Sequence, residues 1–313
     1  MSLNRCKFNV PLLIALLAAL ALPGALISAK TSRTRKKPAA KATPTPQSTP
    51  TPAPSPSPDA DAAAPPGDPQ IDAEGAYLID GLTGQSLYEK QPDQPFYPAS
   101  TTKILTALLV IESGSLDQVV TIQPIDTKVE PSAIEFKPGD KFTRLQLLYG
   151  LLLKSANDAA LALARDNAGS VPAFAAKMNL RARELGALNS NFENPNGLHS
   201  KNHYTTPHDL ALIARAAMQQ PMFRRLVSTV DYTLITGAGP LPLTNHNKLL
   251  IQFPGCTGVK TGYTVPAGQV LVASALKDGR EVISVVMHTD HPGIWEDSKT
   301  LLNYGFSHIP AFP

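Results

Sequence analysis

Residues 97–107 read Tyr97-Pro-Ala-Ser-Thr-Thr-Lys-Ile-Leu-Thr-Ala107: a proline, then a serine and a lysine three apart, then an apolar run. The pattern predicts a helix over Ser100–Glu112. Ile104, Leu105, Leu108 and Ile111 share a face, Pro98 precedes it and Gly114 follows. Positions i and i+3 of a helix lie on one face, so the Lys103 amine is expected beside the Ser100 hydroxyl. A serine is a weak nucleophile until a base takes its proton. A lysine whose charge is suppressed by burial or by a cationic neighbour can do that. Free N–H groups at a helix start can also hold a developing oxyanion. Alone the pair is weak, since Ser-x-x-Lys arises about once by chance in a chain of this length at average composition.

Two further motifs follow along the chain. Ser155-Ala-Asn157 sits where the apolar helices Leu145–Leu153 and Ala159–Arg165 are interrupted. A hydroxyl there can relay a proton, and a side-chain amide can hold a substrate carbonyl or steady a lysine. Taken alone, it reads first as a polar helix-to-helix turn. Lys260-Thr-Gly262 lies between Gly258 and Tyr263, just ahead of a strand hairpin. A strand presenting Lys and Thr on one face, with Gly allowing close backbone approach, makes a ledge for a carboxylate. Such a triplet is expected less than about a tenth of a time by chance.

The remaining elements predict a mixed α/β chain in one globular domain. Gly75–Ile79 and Gln85–Lys90 flank Asp80-Gly81 and Gly84, a hairpin signal. Thr206-Pro207-His208-Asp209 opens a helix with a cap, a proline at the first position and an acid near the positive end. Gln269–Leu276 and Glu281–His288 read as strands joined through Asp278-Gly279, and a last helix spans Pro292–Tyr304. Strands at both ends predict an antiparallel sheet closed by the two ends of the domain and flanked by helices, with an all-α subregion inserted.

Ser-x-x-Lys, Ser-x-Asn and Lys-Thr-Gly, in this order, are the signature set of penicillin-binding enzymes and serine β-lactamases. Tyr97–Ala107, Leu147-Leu-Tyr-Gly-Leu-Leu-Leu-Lys-Ser-Ala-Asn-Asp-Ala-Ala160, Asn194-Pro-Asn-Gly-Leu198 and Gly255-Cys-Thr-Gly-Val-Lys-Thr-Gly-Tyr-Thr264 narrow it further. Over residues 71–306 the chain resembles the D-alanyl-D-alanine carboxypeptidases, the low-molecular-weight penicillin-binding proteins of the bacterial cell wall. The resemblance implies a β-lactamase/transpeptidase-like fold and these roles. Ser100 is acylated by the penultimate D-alanine of a peptidoglycan stem peptide, with Lys103 as base. Ser155 passes a proton to the departing amine and Asn157 holds the peptide. Lys260 and Thr261 recognise the terminal carboxylate, beside Gly262. The N–H groups of Ser100 and Tyr263 form the oxyanion hole, and β-lactam antibiotics acylate the same serine.

Some family members carry an Arg in an Asn-Arg-Asn string. The matching string here is Asn245-His246-Asn247, so His246 is the substituted position. Several members also have a second β-rich domain and an amphipathic C-terminal anchor, neither of which is expected in a sequence reading to Pro313. Three rivals stand beside the carboxypeptidase. A class A β-lactamase needs a deacylating Glu in a Glu-x-x-Leu-Asn string, and Glu184-Leu-Gly-Ala-Leu-Asn189 is one residue too long. A DD-endopeptidase cutting cross-links would use the same residues with a different groove. A non-enzymatic wall-binding protein is disfavoured by the intact motifs.

The remaining sequence bounds location and partners. Arg5 and Lys7 precede an apolar run, Val10–Ala21, broken by Pro23-Gly24, so residues 1–29 read as a signal peptide or an uncleaved anchor. Residues 30–70 read as a basic cluster and then a Pro/Thr/Ser-rich disordered linker: eleven of the thirty prolines fall between Pro38 and Pro69. The catalytic domain is placed at 71–313, outside the cytoplasm, with membrane association possible at the N-terminus. Residues 1–70 hold eight Lys/Arg against three Asp, a net of +5, so the domain carries −2 of the total +3. Nucleic-acid binding is disfavoured accordingly. Cys256 is expected as small buried filler and Trp295 as core, with Tyr149 packed beside the site. His199, His203 and His208 flank a loop without metal-ligand spacing, so no metal or cofactor is expected.

Overall fold

Strand β1 (Gly75–Asp80) is buried along its whole length because both of its faces are covered. In the computed structural model, which describes residues 67–129 and 131–309, β1 pairs antiparallel with β2 (Ser86–Lys90). A 3-10 turn over Ala99–Thr102 leads into α1 (Lys103–Glu112). The short ribbon β3 (Val119–Thr121) and β4 (Lys141–Thr143) follows, then α2 (Arg144–Leu153), α3 (Asn157–Ala168), α4 (Val171–Glu184), α5 (Pro207–Met218) and α6 (Pro221–Val227). A second ribbon, β5 (Asp231–Thr236) and β6 (Gly239–Thr244), and the single turn α7 (Leu249–Gln252) return the chain to the sheet. Strands β7 (Cys256–Thr264), β8 (Gly268–Lys277) and β9 (Arg280–Thr289) then form a meander, and α8 (Gly293–His308) closes the domain.

The five-stranded sheet has the order β2-β1-β9-β8-β7, antiparallel throughout. Side chains alternate across a strand. Tyr77 and Ile79 therefore join Ile283, Val285 and Met287 under the helical region, while Ala76 and Leu78 join Val282 and Val286 under α8. The register places Tyr77, Val285, Val272 and Lys260 in one cross-strand row. Lys260 thus occupies a position that hydrophobic residues fill on the neighbouring strands.

Local chemistry explains the element ends. Thr143 caps α2 in a reciprocal box: its Oγ1 accepts from Gln146 N–H at 3.2 Å, and Gln146 Oε1 accepts from Thr143 N–H at 2.8 Å. Thr206 Oγ1 accepts from Asp209 N–H at 3.1 Å, the cap that the sequence predicts. Asp278 and Gly279 both take positive φ, +51° and +75°, as the expected tight Asp-Gly hairpin requires. The domain is tied down from Asp72 onward. Asp297 on α8 accepts from the N–H of Asp72 at 3.0 Å and of Ala73 at 2.9 Å.

The expected sheet, inserted helical region and terminal helix are all present. Two details differ. The helix predicted from Ser100 begins at Lys103, after the 3-10 turn. The elements α4, α6 and α7 and the ribbons β3–β4 and β5–β6 are not anticipated by the sequence. In β6, Pro240 and Pro242 look like loop residues, yet a two-stranded ribbon tolerates missing N–H donors along its outer side. The expected signal segment 1–29 and linker residues 30–66 lie outside the described residues.

Candidate active site

The 3-10 turn carries the first motif, and its geometry matters. Three residues per turn eclipse positions i and i+3 more closely than an α-helix does. Lys103 Nζ lies 2.9 Å from Ser100 Oγ. The same amine contacts Asn157 Oδ1 at 2.8 Å and the backbone carbonyl of Asn196 at 2.6 Å. Lys103 is wholly buried. Burial, reinforced by the nearby Lys260 charge, pushes its pKa well below the usual lysine range, against the opposing pull of Asp158.

Asn157 opens α3 and uses both ends of its amide: Oδ1 on Lys103, Nδ2 on the carbonyl of Pro131 at 2.6 Å. Pro131 and Ser132 are thereby held at the cavity wall. Ser155, buried between α2 and α3, adopts φ +59° and lines the same cavity as Ser100. Left-handed backbone at a non-glycine residue is uncommon and costs energy, and here it lies in the turn that lines the cavity.

The third motif lies on β7, the edge strand of the sheet. The sequence reading placed Lys260 and Thr261 on one face, but strand alternation sends them to opposite faces. Lys260 is buried beneath the strand, where it donates to the Thr261 carbonyl at 2.8 Å, and burial pushes its pKa down to about 7. Thr261, Gly262 and the exposed Tyr263 line the cavity instead. Gly262 passes so close to the Ser100 turn that a Cβ there would lie 2.9 Å from the Ser100 nitrogen. This close approach is what glycine permits.

His246 stands at the cavity mouth. Desolvation and the neighbouring Lys260 and Lys154 charges push it down to about 4, so it is neutral at neutral pH. Its surface is open to solvent, which tempers the desolvation, and the two ammonium groups act in the same direction.

Sequence reasoning assigned no role to two features beside Ser100. The Asn194–Leu198 loop delivers the Asn196 carbonyl to Lys103. Gly197, at φ +85°, presses on the nucleophile turn so tightly that a Cβ would lie 1.8 Å from the Ala99 oxygen. His203, fully buried, accepts the Glu193 N–H on Nδ1 at 3.0 Å and places Nε2 2.9 Å from Thr102 Oγ1. Its Nε2 therefore carries the proton and donates to Thr102, and burial pushes its pKa down to about 4. The Asn194-Pro-Asn-Gly string was visible in the sequence, whereas a backbone acceptor and a histidine 101 residues from its partner leave no local signal.

The other residues singled out separate into unrelated places. His199 packs edge-on to Tyr97, and His208 sits by Asp93 and Tyr77. Among the described residues no cluster of three His, Cys, Asp or Glu is placed to hold a metal. Cys256 is half-buried and burial pushes its thiol up to about 11. Tyr149 stacks on Tyr232 at 3.8 Å. Trp295, on α8, packs in the core between that helix and the sheet and also reaches the cavity wall.

A serine oxygen on the amine of a buried lysine, between a helical region and the edge of an antiparallel sheet, defines a serine-type hydrolase of the β-lactamase/transpeptidase-like fold. The comparisons agree. The family model described as D-alanyl-D-alanine carboxypeptidase matches residues 60–291. The chain is 34% identical over 249 residues to D-alanyl-D-alanine carboxypeptidase DacF of Bacillus subtilis, covering 77% of this chain and 64% of that protein. It is 39% identical over 259 residues to a D-alanyl-D-alanine carboxypeptidase of Streptomyces sp. strain K15, covering 76% and 89%. The solved Streptomyces K15 DD-transpeptidase aligns with a TM-score of 0.73 at 38% identity, covering 76% of this chain and 98% of that one. The chain belongs to the D-alanyl-D-alanine carboxypeptidase family.

Proposed function

We propose that the protein removes the terminal D-alanine from peptidoglycan stem pentapeptides through an acyl-enzyme on Ser100. The carrying observation is the Lys103 amine, buried, lowered in pKa and 2.9 Å from Ser100 Oγ. In its neutral form the amine takes the Ser100 proton as Oγ attacks the penultimate D-alanine carbonyl. The N–H groups of Ser100 and Tyr263 face the resulting oxyanion. Ser155 passes a proton to the departing amine as the C–N bond breaks, and D-alanine leaves. Asn157 steadies Lys103 and, through Pro131, the cavity wall. Lys260 and Thr261 recognise the terminal carboxylate, beside Gly262. Water then attacks the ester, its proton returns to the Ser100 oxygen, and the tetrapeptide is freed. A β-lactam follows the first half of this path, but its ring-opened leaving group stays tethered, so the ester persists.

The catalytic domain is read as residues 71–313, working outside the cytoplasm behind a signal or anchor and a Pro-rich linker. The reaction as read needs no cofactor, and nucleic acid is no partner. The extent of the cleft, about 660 Å³ and reaching from Ser100 to Trp295, supports a second reading. A DD-endopeptidase would place the leaving strand of a cross-link there. Comparing a pentapeptide with a cross-linked dimer as substrates separates the two.

The test is direct. The purified protein should release D-alanine from a D-Ala-D-Ala pentapeptide and become labelled by a fluorescent penicillin. Ser100→Ala should abolish both, and Lys103→Met should slow labelling about 10²–10⁴-fold, the usual worth of a general base. Labelling retained in Ser100→Ala would refute the mechanism.

A further inference from the structure

Among the described residues, the wall of the cavity beside Ser100 carries no Asp or Glu, and Lys248 is its only Lys or Arg. Among those residues, too, no carboxylate pairs with Lys248. Its Nζ is held 5.7 Å from the centre of the Trp295 ring, within cation–π range. An aromatic face orients an ammonium without neutralising it, which leaves the charge available to a ligand. Thr261, two strand positions from Tyr263, lines the same cavity.

The other cations near the site serve a carboxylate less well. Lys260 is buried beneath β7 and donates to the Thr261 carbonyl, and a pKa of about 7 leaves it only partly charged at neutral pH. His246 at about 4 carries no charge there. Lys154 lies near His246 but does not line the cavity, so among the described wall residues the lasting positive charge is Lys248, two residues beyond His246. With no acid lining the described wall to cancel it, that charge attracts an anionic group.

We propose that Lys248, held over Trp295, is a specificity-determining residue that reads the free carboxylate of the leaving residue together with Thr261. The inference rests on the reading of the site as a D-Ala-D-Ala peptide site. It adds a charged partner on α7's leading edge that none of the three motifs contains. A long flexible lysine also suits a carboxylate whose position differs between a single D-alanine and the end of a cross-linked strand. Trp295, by contrast, sets where the lysine stem rests.

The experiment measures binding as well as turnover, on the full chain. Acetylated D-Ala-D-Ala peptides with a free or an amidated C-terminus are titrated against wild type, Lys248→Met and Lys248→Arg, and kcat/KM is recorded for each. Wild type should prefer the acid. Lys248→Met keeps the apolar stem and should lose roughly ten- to hundredfold in affinity for the acid, the range for a lost charge-assisted contact. The loss should fall on Kd and KM rather than kcat, and the amide should be unaffected. Lys248→Arg should restore the acid preference. An acid-to-amide ratio unchanged in Lys248→Met, or a wild type that binds both equally, overturns the proposal. A wild type that releases no D-alanine, yet shows the Lys248-dependent preference in binding, upholds it and instead refutes the hydrolytic reading.

Discussion

The shortest contact of the Lys103 amine, 2.6 Å, is to the backbone oxygen of Asn196 rather than to Ser100. A lysine with acceptors on three sides cannot swing away from the serine. The amine is fixed by Asn157 from α3, by the Asn194–Leu198 loop and by the turn it belongs to. Removing any one frees a degree of motion and leaves a buried donor of the amine unpaired, which costs about 1–3 kcal/mol.

Gly197→Ala tests the loop. The new Cβ would meet the Ala99 carbonyl oxygen at 1.8 Å, at a backbone φ of +85° that alanine resists. Loop and turn must separate, with a loss of roughly 2–4 kcal/mol from overpacking and left-handed strain. Penicillin labelling should slow by far more than the melting temperature alone explains, because Asn196 withdraws from the amine. A variant that keeps the wild-type acylation rate would show that the loop does not position Lys103.

Lys260 sets a conflict between stability and activity. Its pKa falls from 10.5 in the unfolded chain to about 7 in the fold. Between those values the unfolded chain holds a proton that the native state has lost, so stability rises with pH from about 7 to 10.5. Below 7 the native state carries the buried charge. Each tenfold loss of proton affinity on folding corresponds to about 1.4 kcal/mol. Lys260→Met should therefore stabilise the protein near pH 6 by a few kcal/mol and flatten the rise. The same change should slow acylation, because the Lys260 charge helps hold the Lys103 pKa down. Denaturant titrations at pH 6, 8 and 10 decide it, and a destabilised variant at pH 6 would contradict the argument.

His203 gives the acid limb. Its pKa is depressed from 6.5 to about 4, so the stability it contributes is present above pH 6.5 and drains away as pH falls toward 4. Protonation takes away the Nδ1 acceptor of the Glu193 N–H. His203→Gln should flatten the stability profile between pH 6.5 and 4.5 and keep most activity at pH 7, since an amide can still donate to Thr102. An unchanged acid slope would assign that limb to other groups.

The N-terminal boundary is tested by starting the chain at Ile71. Asp297 holds the backbone from Asp72, and the Ile71 side chain packs beneath α8. The shortened protein should match the full chain in melting temperature, D-alanine release and penicillin labelling. A large loss of rate would place part of the preceding segment within the catalytic fold.

What the sequence disclosed, and what it hid, follows from the range of each interaction. Ser100 and Lys103 were legible because one turn brings them together. The β8–β9 hairpin was legible because Asp278-Gly279 dictates it. The Asn196 carbonyl was invisible because every residue has one, and only the packing of Gly197 on Ala99 selects it. The expectation that Lys260 and Thr261 share a face failed on strand alternation, which leaves Thr261 on the cavity wall and Lys260 beneath the strand. Lys248 was hidden for a related reason: its partner, Trp295, comes from the far end of the chain.

The pairing of β1 with β9 joins Gly75–Asp80 to Val282–Met287, segments some two hundred residues apart. During synthesis the Ser100–Lys103 turn is made early, but the strand bearing Lys260 hangs from β8 and β9. The early strand must wait for the late ones. Contacts so distant in sequence form slowly, since the loop between them is ordered before the pairing rewards it. Until nearly the whole chain is available, Ser100 lacks the cavity wall that β7 supplies, and Lys103 lacks the second lysine that helps depress its pKa. The fold is thus its own timer: an unfinished molecule lacks the assembled Ser100–Lys103 site.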